Sequence, residues 1–254
     1  MRFLPFLLCL SLSFAACSKA PAPVPPAAAP TVAAAPAAPV AAPAPAPAEA
    51  PPAPASPTAP ATTLQDSDYQ VIADGKPYSA VAGKIEVVEF FNYICPACNS
   101  FDPLLHAWKA KLPVDVHLIY VPADFRADFE VYARAYYAAD LLGIAEKAHQ
   151  AVYQAIHDTH TLPGEGRLPD EKVIAAFYAQ HGVTAQAFSD AMNSFAVNIR
   201  MSQGHQFEVQ SQLASTPSLL VNGRYMVKGK DFEDKLRIAS LLIERERSQS
   251  ATKK

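Results

Sequence analysis

Cysteine is scarce in this chain, with four in 254 residues. Two of them, Cys9 and Cys17, lie in the N-terminal apolar segment, so a single pair, Cys95 and Cys98, serves everything downstream. A structural zinc centre needs four ligands. The seven histidines (106, 117, 149, 157, 160, 181 and 205) offer no tight pair at ligand spacing near that pair. A metal on the two thiols is therefore not expected, and no metal or organic cofactor is assigned. Charge of one sign is also missing. The 21 Lys and Arg nearly balance the 24 Asp and Glu, which argues against nucleic acid as a partner. Long apolar runs are absent as well: the N-terminal run from Phe3 to Phe14 is too short to span a bilayer, which takes about 20 residues.

What is present is Cys95-Pro96-Ala97-Cys98, directly behind the apolar run Ile85 to Ile94 and at the head of a segment with helical periodicity. Two thiols spaced i, i+3 in the first turn of a helix can close and open a disulfide with little backbone movement. The helix N-terminus offers unpaired N–H groups and a partial positive charge to the first sulfur, which lowers its pKa. Pro96 suits the first turn, where its missing N–H has no helical partner to lose. Half a zinc site and an inert structural disulfide are the alternatives, and the strand-then-helix context favours redox chemistry.

The N-terminus reads as an export leader over residues 1–16: Met1-Arg2, then the short apolar run. Phe14-Ala15-Ala16-Cys17 resembles the lipobox of bacterial lipoproteins, except that Phe14 stands where an aliphatic residue is usual. Lipidation at Cys17 is the expectation, and Ser18 behind it points to an outer-membrane destination. Ordinary cleavage after Ala15 or Ala20 is the alternative. Either way the protein is expected outside the cytoplasm, in the periplasm, where disulfides persist. Most of the 24 prolines fall between residues 20 and 61, interleaved with alanine. Proline at that density excludes helix and sheet, so residues 17–63 read as a semi-rigid tether, able to reach on the order of 130 Å when extended.

The remainder is long enough for one domain with a substantial core. Strands are expected at Tyr69–Ile72, Ile85–Phe91, Val114–Val121, Ser218–Val221 and Arg224–Val227, with Asn222-Gly223 as a hairpin signal. Helices are expected from Pro96 to Lys111, over the segment in which Phe129, Tyr132, Tyr136, Ala139 and Leu142 share a face, and over 145–157, 170–181, 184–193, 197–214 and 231–247. Asp170 and Thr184 are candidate N-caps, and the aromatics of the helical block read as core.

Glu89-Phe90-Phe91 ahead of Cys95-Pro96-Ala97-Cys98, the helical block, and Thr216-Pro217-Ser218-Leu219-Leu220-Val221-Asn222-Gly223 together resemble the DsbA-type thiol:disulfide interchange proteins of the thioredoxin-like superfamily. The likeness covers roughly residues 66 to 245. It implies an α/β thioredoxin fold, a central mixed sheet flanked by helices, with an inserted all-helical domain. Its parts are 64–125, the insertion 126–203, and 204–254. It also implies a cis Thr216–Pro217 peptide packed against the redox pair, and a buried acidic Glu89 beneath it. Cys95 is then the reactive thiol and Cys98 its partner. Reduced exported proteins are the implied substrates, a quinone-linked DsbB-like membrane protein the implied reoxidant, and a monomer the implied state.

Two positions depart from the family pattern. Ala97 stands where the well-studied oxidants carry histidine, and Thr216 where valine is frequent. Glu89 usually pairs with a lysine on the next strand, where this chain offers Asp115 and His117. Without a histidine in the dipeptide, Cys95 is expected to be less acidic than the family extreme, for which DsbA itself is the general example at about 3.5. The expected activity is donation of the Cys95–Cys98 disulfide to exported proteins. A reductase or isomerase running the same chemistry is one alternative, and a tethered peptide- or metal-binding lipoprotein is another.

Overall fold

A computed structural model describes residues 63–252; the leader, Cys17 and nearly all of the tether lie outside the described residues. In chain order the elements are β1 (Tyr69–Val71), β2 (Ile85–Phe91), α1 (Pro96–Lys109), β3 (Val116–Pro122), α2 (Ala127–Leu141), α3 (Ala145–His157), α4 (Glu171–Tyr178), α5 (Ala185–Met192), α6 (Phe195–Gln210), β4 (Ser218–Val221), β5 (Tyr225–Val227) and α7 (Phe232–Thr252). The five strands form one sheet in the order β1-β5-β4-β2-β3. Only β2 and β3 run parallel; the other neighbours are antiparallel.

All seven residues of β2 are buried, as its run of β-branched and aromatic side chains demands of a strand covered on both faces. Its alternate residues serve two cores. Ile85 and Val87 pack with Phe101, Leu105 and the Leu236–Ile243 face of α7, while Val88 and Phe90 pack with Leu220, Met226 and Phe207. A third core belongs to the helical block, where Phe129, Tyr132, Tyr136, Tyr153, Tyr178 and Phe188 are buried. This is the thioredoxin-type sheet with a helical insertion between β3 and β4 that the resemblance implies.

Asp170 caps α4 by accepting from Lys172 N at 2.8 Å, and Thr184 caps α5 by accepting from Ala187 N at 3.1 Å. Asn222 and Gly223 both have positive φ, and a Cβ at Gly223 would stand 2.0 Å from Lys76 O, so only glycine fits that side of the hairpin. Some boundaries move. The strand expected from Val114 begins at Val116, because its partner β2 begins at Ile85 and the register is Ile85↔Val116; Val114 is 91% exposed. Pro122 closes β3 rather than following it, a position open to proline because β3 is an edge strand. The helix expected over 197–214 starts at Phe195, where Ser194 accepts from Val197 N, and ends at Gln210. It runs unbroken through residue 203, the end assigned to the insertion, and its Phe207 packs on the sheet. The last helix continues beyond Arg247 to Thr252.

Candidate active site

The parallel strand β2 delivers the chain to the site through Asn92-Tyr93-Ile94. Asn92 is fully buried. Its side-chain amide donates to Ala123 O (2.8 Å) and Phe129 O (3.0 Å), and its Oδ1 accepts from Ile94 N (3.2 Å). Cys95 N then donates to Asn92 O at 3.1 Å. One amide therefore ties the approach to the motif to the exit of β3 and the start of α2. Cys95 is the N-cap of α1 with an extended backbone (φ −78°, ψ 116°), and Pro96 follows in the first turn. Pro96 and Ala97 are exposed, Cys95 is at the edge of burial, and Cys98 is fully enclosed.

The two thiols, both free, are pushed in opposite directions. Cys95 is lowered to about 5: the Cys98 thiol hydrogen-bonded to its sulfur does most, the Thr216 side chain and the backbone N–H groups of Cys98 and Ala97 add to it, and burial opposes. Cys98 is raised, first by burial, then by its hydrogen bond to the Cys95 sulfur and by the charge there. In the dithiol the negative charge therefore resides on Cys95, under the unpaired N–H groups of the α1 N-terminus.

The loop before β4 completes the site. Thr216–Pro217 is cis, and the protonated Cys95 thiol donates to Thr216 O over 3.6 Å. Pro217 O accepts from Lys235 Nζ of α7 at 2.7 Å. Glu89 lies below, 2% exposed. Burial holds its carboxyl well above the usual range, the charges on Asp102 and Cys95 push the same way, and Lys235 opposes them. Burial in turn lowers Lys235, against the pull of Cys98, Cys95 and Glu89.

The structure thus brings Cys95, Cys98, Thr216, Pro217 and Glu89 together. It does not bring Asp115 or His117 to Glu89. The register sets Glu89 beside Tyr120 and His117 beside Glu86, and Asp115 is held by Arg247 at 2.7 and 2.8 Å. The cation that answers Glu89 is Lys235, from a helix at the far end of the chain. Sequence reasoning missed it, and missed Asn92, whose one signal is an amide inside an apolar run. It missed a third link as well. His149 of α3 joins Tyr93 OH (Nδ1, 3.0 Å) to Asp102 of α1 (Nε2 to Oδ1, 3.2 Å), beside a cavity of about 730 Å³ between α1, β3 and the helical block.

Comparison with known proteins agrees with this geometry. Residues 86–239 match the family of the DSBA-like thioredoxin domain. The chain is 35% identical over 169 residues to the thiol:disulfide interchange protein DsbA of Pseudomonas aeruginosa, covering 65% of this chain and 78% of that one. The protein of the same name from Burkholderia cepacia is 37% identical over 166 residues, covering 65% and 76%. Among solved structures, the oxidoreductase DsbA of Xylella fastidiosa superposes with a TM-score of 0.71 at 41% identity, covering 74% of this chain and all of that one. Two thiols with opposed pKa shifts at a helix N-terminus, faced by a cis-proline loop and backed by a buried glutamate, accompany that likeness, and the chain belongs to the DsbA-like family of thiol:disulfide oxidoreductases.

Proposed function

We propose that this chain is a periplasmic, membrane-anchored disulfide donor for exported proteins. A substrate thiolate attacks Cys95 Sγ of the Cys95–Cys98 disulfide, the S–S bond breaks, and Cys98 leaves and takes up a proton. A second substrate thiolate then attacks the substrate sulfur of the mixed disulfide and releases Cys95 as a thiolate. Two electrons pass from the substrate thiols to the enzyme, and a quinone-linked DsbB-like protein takes them on. The observation that carries this direction is the opposed push on the two sulfurs. A low-pKa Cys95 is a good leaving group and stabilises the reduced form, which makes the disulfide an oxidant. The value of about 5 lies between the two general examples of this motif, about 3.5 for DsbA and about 7 for thioredoxin.

Each neighbour has a role in this reading. Thr216 and Pro217 present backbone to an extended substrate segment, and Glu89 supplies and recovers the Cys98 proton. Cys17 carries lipid, the proline-rich segment holds a monomeric domain away from the membrane, and the substrates are reduced exported proteins. Thiol alkylation of freshly isolated protein should find the pair mostly oxidised; a mostly reduced pair would turn the reading to a reductase or isomerase. Cys98→Ser should accumulate mixed disulfides with client proteins through Cys95, and trapping through Cys98 in a Cys95→Ser variant would refute the assignment. Cys17→Ala should release the protein from membranes. A soluble wild type with an N-terminus at Ala16 or Pro21 would sink the anchor.

A further inference from the structure

Beyond the thiols, one group of side chains has the makings of a binding site. Asp124 stands two residues past the end of β3, and α6 presents His205 and Glu208, one turn apart on a single face. One ligand atom from each of the three lies within 4.8 Å of the others. His205 Nδ1 and Asp124 Oδ1 are 2.8 Å apart. Glu208 is 4% exposed, and its Oε1 has no hydrogen-bond partner among the described residues. An ionised carboxylate buried in that way is costly unless a cation or donor meets it. Beside the three lies a concave space of about 360 Å³, bounded also by Phe125, Gln212 and Leu213.

One imidazole nitrogen and two carboxylates form a donor set for a borderline divalent ion, with Zn²⁺ the closest chemical fit. Metal–ligand distances of about 2.0–2.2 Å in a tetrahedral site set neighbouring donors about 3.3–3.5 Å apart, so the His205–Asp124 contact would open by roughly half an ångström. Three protein ligands leave a tetrahedral ion one position for water, and the adjoining concavity that the same residues line has room for it. We infer that Asp124, His205 and Glu208 bind a divalent transition-metal ion of the Zn²⁺ class, at a site separate from the redox cysteines. The ion ties the exit of β3 to α6, the two segments by which the chain leaves the sheet and returns to it. Its role is to hold those crossings together.

The test uses the full chain with its Cys95–Cys98 disulfide formed and every other thiol alkylated, so that sulfur cannot compete for metal. After chelator treatment, equilibrium dialysis against ZnCl2 near neutral pH should give one Zn²⁺ per chain. The thermal unfolding midpoint should rise with Zn²⁺ and return with EDTA. His205→Ala and Glu208→Gln should each weaken binding about tenfold or more, and His106→Ala should leave it intact. Glu208→Gln is isosteric and uncharged, so its folded metal-free form separates loss of a ligand from loss of the fold. No saturable binding up to about millimolar Zn²⁺, or binding that survives in both ligand variants, would overturn the site.

Discussion

The C-terminal ends of β2 and β3 lie side by side in the same parallel pair, yet they are built in different ways. Beyond β2 the candidate redox groups are local: Cys95 caps a helix that begins with the next residue, and Cys98 is one turn along it. Beyond β3, Asp124 acquires partners only when α6 returns to the sheet carrying His205 and Glu208. Each end has a buried glutamate whose pKa burial raises, Glu89 at the first and Glu208 at the second. At the first a lysine from α7 opposes that shift, and at the second the backbone N–H of Asp124 and then the His205 imidazole do. A reactive centre can thus rest on one helix turn, while the charge that surrounds it is supplied by whatever elements the fold brings alongside.

Asn92 joins the two ends, and its removal should have the largest effect. Asn92→Ala strands the buried carbonyl of Ala123 and the buried N–H of Ile94, and should cost about 3 kcal/mol in denaturant unfolding. A loss below about 0.5 kcal/mol would mean that the ends are not coupled through this amide.

Glu89→Gln should come next, with the opposite sign. Glu89 is raised in the folded state, so its ionisable carboxyl costs stability above the unfolded value of about 4.3, increasingly as pH climbs towards the folded value. Below about pH 4 both forms are neutral and the cost disappears. The variant should therefore gain on the order of 2 kcal/mol at pH 8 and little at pH 4. A gain independent of pH would show that the substitution acts through packing.

The link between the sheet layer and the helical block should matter less. His149→Ala removes one hydrogen-bond partner of the buried Tyr93 phenol, at a cost of about 1–2 kcal/mol in urea unfolding. An unchanged midpoint would remove His149 from the connection.

The smallest effect sharpens the account of the thiol itself. Ala97→His adds a donor beside the Cys95 thiolate and should lower its pKa by about one unit, raising the potential by roughly 30 mV for the two-electron couple. Thiolate absorbance and glutathione equilibration should move together. A wild-type Cys95 titrating at or above about 8 would show that the helix N-terminus does not act on this sulfur, and the oxidant reading would fall with it.

Much of this was legible in the chain beforehand. The strand Ile85–Phe91, the helix headed by Pro96, the caps at Asp170 and Thr184 and the Asn222-Gly223 turn were readable because each depends on neighbours within a few residues. The bounds of β3 were not, since the partner strand sets where pairing begins. The partner of Glu89 was looked for on the next strand, where the family pattern places a lysine and this chain offers Asp115 and His117 instead. The register sent those two residues elsewhere and left the place to Lys235.

The sequence by itself determined the candidate redox pair. Cys95 and Cys98 are one turn apart with proline between, and a helix N-terminus acts on the first sulfur wherever that helix is placed. Tertiary structure alone decided what surrounds the pair: the buried Glu89 beneath it, the Thr216 carbonyl against Cys95, Lys235 on the Pro217 carbonyl, and the grouping of Asp124 with His205 and Glu208. The reason is range. Helix capping and turn geometry act over a few residues, whereas desolvation and the meeting of charges depend on elements that are distant in the chain and adjacent only once the sheet has formed.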